Sequence, residues 1–178
     1  VSRCLAASLD LETTLRNVVR IAVPDLADWC GVVMLEEDEV VWVEAAHRDE
    51  EAAKRLRELI GLRYPLDRSA PVGMHRVLRT GEPELVSEVT EPWLRLAVPA
   101  PERDLAIHEL EARSVVIAPL VTRGRTLGAI TLVRAAAAPR YGTGDLRLVE
   151  EIASRAALAI DNAQLFQAER AAVRIRGG

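Results

Sequence analysis

The stretch Ser114-Val115-Val116-Ile117-Ala118-Pro119-Leu120-Val121-Thr122-Arg123-Gly124-Arg125-Thr126-Leu127-Gly128-Ala129-Ile130-Thr131-Leu132-Val133 decides how this chain is read. Two aliphatic, β-branched runs flank the polar link Thr122-Arg123-Gly124-Arg125, the pattern of an antiparallel hairpin. Pro119 has no N–H to give a sheet ladder, so its position should face an edge or a bulge. Gly128 inside the second run predicts the close approach of a neighbour.

Toward the C-terminus, residues 143–170 read as one long helix, on the order of 40 Å at about 1.5 Å per residue. Thr143 is the expected N-cap, with Asp145 in the first turn, where the helix dipole favours an acid. Val149, Ile152, Ala156, Ala159, Ala163 and Phe166 alternate spacings of three and four, a coiled-coil-like seam. Leu148, Ala153, Ala157 and Ile160 form a second stripe beside it. Apolarity this broad predicts burial on two sides, one against the domain's own sheet and one against a partner helix.

Toward the N-terminus, residues 5–23 carry Leu11, Leu15, Val18, Val19 and Ala22 at helical spacing, with Asp10 as the expected N-cap and Pro24 as the break. A second hairpin follows, Val32 to Leu35 and Val40 to Ala46 about the acidic link Glu36-Glu37-Asp38-Glu39. That link lacks the ordered ligands and the glycine of a calcium loop, and reads as a solvated tip. Residues 49–60 form a helix capped by Asp49 and stopped by Gly61. Between the hairpins, Pro65, Pro71, Pro83, Pro92, Pro99 and Pro101 punctuate an irregular middle. Within it the spacing predicts a short helix over 72–80 closed by Gly81, a short strand over 84–87, and a helix from Pro101 to about Ala112. The sum is an α+β chain without internal repeats.

The 178 residues suit one domain with short extensions, and 49% hydrophobic residues supply a core. A net charge of −4, from 23 basic and 27 acidic residues, gives no general attraction to nucleic acid or anionic lipid. Lys54 is the only lysine, and the Arg- and Ala-rich usage points to a GC-rich bacterial source. Cys4 and Cys30 form no C-x-x-C pair and are expected as reduced thiols of a cytoplasmic protein, a disulfide between them being the alternative. No apolar run approaches the roughly 20 residues that span a bilayer, and the first residues lack a signal-peptide core. Because it opens on Val1, the chain is expected to be a piece of a longer protein or to have a processed start, which leaves the parent protein's targeting open.

Three stretches, in this order and spacing, resemble the GAF domain, a small-molecule sensor module related to the PAS domain. They are the short helix and turn Gly73-Met74-His75-Arg76-Val77-Leu78-Arg79-Thr80-Gly81-Glu82-Pro83, the hairpin with Ala118-Pro119-Leu120 and Gly124-Arg125-Thr126-Leu127-Gly128, and the closing helix with Ala159-Ile160-Asp161-Asn162-Ala163. Leu9-Asp10-Leu11-Glu12-Thr13-Thr14-Leu15 and Ala27-Asp28-Trp29-Cys30 are similar to a bacterial subgroup whose GAF domain precedes a serine phosphatase or a histidine kinase. The resemblance implies an antiparallel central sheet with the N- and C-terminal helices on one face and shorter helices and loops on the other. It implies one GAF-like sensory domain over residues 1–178, with a core at about 25–140 and flanking helices at about 5–23 and 143–170. It also implies a regulatory input domain without catalysis, covalently linked to an effector.

By the same analogy a ligand lies between a sheet face and the irregular middle, which makes Trp42, Tyr64, Met74, His75, Val86, Trp93 and His108 cavity candidates; ordinary core packing is the alternative. Trp93, beside Pro92 in a loop, could cap the cavity. The seam from Val149 to Phe166 is the candidate for homodimerisation and transmission, and a ligand-free dimerisation module is the competing function. A sulfoxide reductase of the GAF type would need a cysteine cluster, and two cysteines so placed do not resemble it. Nothing in the residues argues for haem, bilin or metal: His47, His75 and His108 are unpaired, and neither cysteine sits where a bilin would attach. The cyclic-nucleotide signature is missing. His47-Arg48-Asp49 lacks the asparagine of a kinase catalytic loop, and Gly142-Thr143-Gly144 lacks the third glycine of a dinucleotide loop.

Overall fold

The computed structural model describes residues 9–98 and 111–177. The expected helix from Pro101, with His108, lies almost wholly outside the described residues, as does Cys4.

Helix α1 (Leu9–Ala22) leads into the hairpin of β1 (Trp29–Glu36) and β2 (Glu39–His47), then α2 (Glu50–Arg57), β3 (Arg63–Pro65), α3 (Met74–Thr80), β4 (Glu84–Val86) and α4 (Glu91–Ala97). The second hairpin, β5 (Ser114–Thr122) and β6 (Arg125–Arg134), precedes the long helix α5 (Thr143–Arg176). The six strands form one antiparallel sheet in the order β3-β2-β1-β6-β5-β4. The two hairpins therefore meet through β1 and β6 at its centre.

Each sheet face has its own core. On one, α1 brings Leu11, Leu15, Val18, Val19 and Ala22, and α5 brings Val149, Ala153, Ala156, Ala157 and Ile160, onto Val32, Val116, Ile130 and Leu132. On the other, Leu56 of α2 and Met74, Val77 and Leu78 of α3 cover Trp29, Val33, Trp42, Ile117 and Ala129. Terminal helices on one face and short helices on the other is the expected layering.

Strand alternation assigns residues to faces, and two bulges correct it. The β1–β2 register shifts between Val32 and Val33, which leaves Val43 as the extra residue. Trp42 and Ala45 consequently share the short-helix face, while Val43 turns to the other. In β6 a shift opposite Leu120 and Val121 makes Leu127 the extra residue, on the long-helix face.

Several boundaries differ from expectation for local reasons. Glu36 and Glu39 pair across the first hairpin, so the turn is Glu37-Asp38 alone. Its acids are not merely solvated: Arg63 holds Glu36 at 2.6 Å and Arg68 pairs with Asp38. The Arg123-Gly124 turn of the second hairpin has φ of 55° and 71°, the conformation that lets a two-residue turn match strand twist. Helix α2 ends at Arg57 because the next three N–H groups bond three residues back, tightening the turn, and Gly61 N–H donates to the Trp42 carbonyl. Asp10 lies inside a helix already running at Leu9. The α5 N-cap is Gly142, one residue before Thr143, and the Asp145 carboxylate accepts its N–H at 2.8 Å. Strand β3 and helix α4 were not expected. Pro92 is compatible with α4 because it sits in the first turn, where no helical N–H is needed, and Thr90 caps it. Gly128 does face close packing, since a Cβ there would collide with the Val33 carbonyl oxygen. The β4 ladder ends at Ile117, two residues short of Pro119.

Candidate functional site

The short-helix face gathers the candidates. Trp42, Met74 and His75 are buried there, while Tyr64, Val86 and Trp93 pack half-buried around the same cluster.

Trp42 lies across the backbone of Gly31 on the neighbouring strand, where a Cβ would come within 2.5 Å of the indole ring. Only glycine at position 31 leaves this space for the ring. The indole N–H donates to Tyr64 Oη at 3.2 Å, and the Tyr64 ring meets His75 with centroids 5.5 Å apart. His75 Nδ1 accepts the Asp67 N–H at 2.9 Å, so the neutral ring carries its proton on Nε2. Burial lowers the His75 pKa and the Asp67 carboxylate partly opposes this. The result is a chain of aromatic groups running from the sheet centre to α3.

A second knot holds α4 against α3. Both Glu84 oxygens accept the Gly73 N–H, at 3.1 and 2.9 Å. The same carboxylate accepts from Arg76 Nη1 at 3.3 Å and from the Trp93 indole N–H at 3.1 Å. Gly73 has φ of 87° and touches Ala97, whose Cβ would lie 2.6 Å from a Cβ at position 73. Trp93 is thus held on a helix by a carboxylate rather than carried on a loop.

Sequence reasoning overlooked Trp29, Gly31, Asp67 and Glu84. Of these, Glu84 left a trace, an acid at the head of the apolar strand Glu84-Leu85-Val86. Among the described residues, Trp29 Nε1 is buried without a hydrogen-bond acceptor, an open donor on the same face as Trp42.

The α5 seam divides. Val149, Ala156 and Ala163 are buried in the domain's own core, Ile152 is half-buried, and Ala159 and Phe166 are exposed. Seven-residue steps from Ile152 pass through Ala159 and Phe166 to Val173, which is 68% exposed. Asp161, on the buried side, pairs with Arg123 of the β5–β6 turn at 3.3 Å. Cys30 is fully buried on the long-helix face, and burial pushes its thiol far up, which suppresses thiolate chemistry. Among the described residues, no cluster of three His, Cys, Asp or Glu side chains could hold a metal ion, and no helix is long and apolar enough to cross a membrane.

Comparison with known proteins places this architecture. No curated protein sequence matches the chain significantly. Among solved structures, the GAF-B domain of DevS from Mycobacterium smegmatis is 20% identical with a TM-score of 0.61, over 90% of this chain and 97% of that one. A GAF domain/HD domain protein from Geobacter sulfurreducens is 17% identical with a TM-score of 0.67, over 88% and 95%. A domain of a putative two-component sensor histidine kinase from Sinorhizobium meliloti is 18% identical with a TM-score of 0.59, over 89% and 96%. At these identities the likeness shows the fold. The family model of the GAF domain matches residues 8–161, most of the chain, and the chain therefore belongs to the GAF-domain family.

Proposed function

We propose that the chain is a regulatory sensory input domain of a multidomain signalling protein, which binds a small molecule on its short-helix face and passes the signal to an effector through α5. The observation that carries this reading is the double role of α5. Its first half closes the core of the sheet, and residues 168–177 are exposed with Val173 and Ile175 left apolar. A change in the sheet therefore has a rigid path outward. The binding half of the reading is supported by the aromatic set Trp42, Tyr64, His75 and Trp93 and by the open Trp29 donor, which a ligand acceptor would satisfy. Solved relatives are named as parts of a sensor histidine kinase and of a methyl-accepting chemotaxis protein, settings that suit such a role. The test is native mass spectrometry of the purified protein, joined to a thermal-shift screen over a metabolite panel. A retained small molecule, or a saturable shift lost on Trp29→Phe, is the expected result; neither, across the panel, would overturn the sensing claim.

A second reading, pairing of two copies without a ligand, is favoured by the row Ile152, Ala159, Phe166 and Val173, half-buried at Ile152 and exposed at the other three. Its heptad spacing suits one matching helix. The two readings are compatible, since a paired α5 is a means of transmission. Catalysis by Cys30 is disfavoured by its burial, which keeps the thiol protonated.

A further inference from the structure

At the other end of the sheet, β1 begins, β2 ends and β6 runs into the loop before α5. Asp28 stands at this junction and is 5% exposed. Its backbone is fixed on both sides, by its own N–H to the Val133 carbonyl and by the Arg48 N–H to its carbonyl, each at 2.9 Å. Its carboxylate is shared: Oδ2 accepts the Ala135 N–H at 2.6 Å, and Oδ1 accepts from Arg48 Nη1 at 2.6 Å. A buried carboxylate with a fixed backbone thus aims an exposed guanidinium. Among the described residues this is the only group Arg48 engages, through one nitrogen of three.

His47 stands beside it. Its Nδ1 accepts the Asp49 N–H at 2.8 Å, so the neutral ring has its proton on Nε2 and offers it as a donor. Burial lowers the His47 pKa, which favours that neutral form near pH 7. Both residues line a cleft of about 300 Å³ with Asp28, and Ala135, Ala137 and Ala138 supply a wall of methyl groups. Glu111 also lines the cleft, and its charge opposes an anion there, a doubly charged one about twice as strongly as a singly charged one.

We propose that this cleft is a binding site for a small carboxylate, its oxygens taken by the Arg48 guanidinium and His47 Nε2–H and its short carbon body resting on the alanine wall. Arginine suits the ligand because its planar fork matches two carboxylate oxygens. The volume lies at the lower end for small-molecule sites and suits a compact ligand. The site lies apart from the Trp42 face and does not depend on the function proposed for it. Its alanine wall leads directly to Tyr141, whose Oη donates to the Leu26 carbonyl at 2.7 Å, and then into α5. Occupancy would brace the base of the long helix.

The experiment titrates the ¹⁵N-labelled protein with propionate at constant ionic strength, using chloride as the reference salt and inorganic phosphate in a parallel series. Saturable movement of the amide signals of Arg48 and Ala135 is expected with propionate at millimolar concentrations. Arg48→Gln and His47→Phe should each weaken binding about tenfold or more, the loss of a charge-assisted or buried hydrogen bond, while the rest of the spectrum is retained. If Arg48→Gln fails to fold because Asp28 loses its partner, His47→Phe alone carries the test. The proposal is overturned if propionate gives no saturable movement, if His47→Phe binds like the parent, or if phosphate binds more tightly than propionate.

Discussion

At Trp42 a large ring and a missing side chain are matched across two strands. Gly31→Ala would push a methyl group into the indole and should cost about 1–3 kcal/mol, the range for overpacking. Trp42→Ala should cost about 3–5 kcal/mol by leaving a cavity. Urea denaturation checks both, and the double variant should lose less than the two single losses combined, because the clash disappears with the ring. His75 gives a pH signature. Its folded-state pKa is below the ordinary 6.5, so the unfolded chain binds more protons as pH falls past that value. Stability contributed by neutral His75 is present above about pH 6.5 and is lost as pH falls toward its folded pKa. The Asp67 carboxylate, lowered from 3.8 chiefly by its Ser69 hydrogen bonds, adds a separate loss only in stronger acid. Urea midpoints measured between neutral pH and pH 5 should therefore fall, and His75→Gln should flatten that slope. Unchanged midpoints in the parent protein would contradict the burial of a neutral histidine.

Elements differed in how far the residues announced them. The β5–β6 hairpin was legible because a polar two-residue turn with glycine separates long aliphatic runs, and α5 because its apolar residues keep helical spacing over many turns. Strand β3 has only three residues, and Pro92 masked α4 by looking like a loop marker. The bulges at Val43 and Leu127 were hidden because the extra residue in each is as apolar as its neighbours. The short-helix face was reached by family analogy, and six of its seven candidates come together there. What fixes them is a set of contacts distant in sequence. Glu84 bonds to Gly73 and Trp93 only once α3, β4 and α4 have converged. Glu84→Ala should accordingly destabilise the protein by about 2–3 kcal/mol, since it orphans partly buried donors. It should also free Trp93, read as faster tryptophan anisotropy decay. A fall in stability with Trp93 still immobile would deny Glu84 its part in holding α4.

For the molecule as a whole, the question is which way α5 faces. The sequence pattern offered one seam from Val149 to Phe166, and packing splits it, because a helix on a sheet buries one side and leaves the adjacent row open. Ala163→Glu, placed in the core, should lower stability sharply, about 3 kcal/mol or more for an unpaired buried charge. Ala159→Glu and Phe166→Glu, on the open row, should leave the fold intact. Light scattering of the Ala159→Glu/Phe166→Glu protein beside the parent is the most direct test of α5 as the proposed transmission element, because its open row is the seam through which two copies would pair. Twice the 19.5 kDa chain mass is expected for the parent and 19.5 kDa for the variant, with unchanged circular dichroism. A parent that is already monomeric, or a variant that stays at the doubled mass, would contradict it.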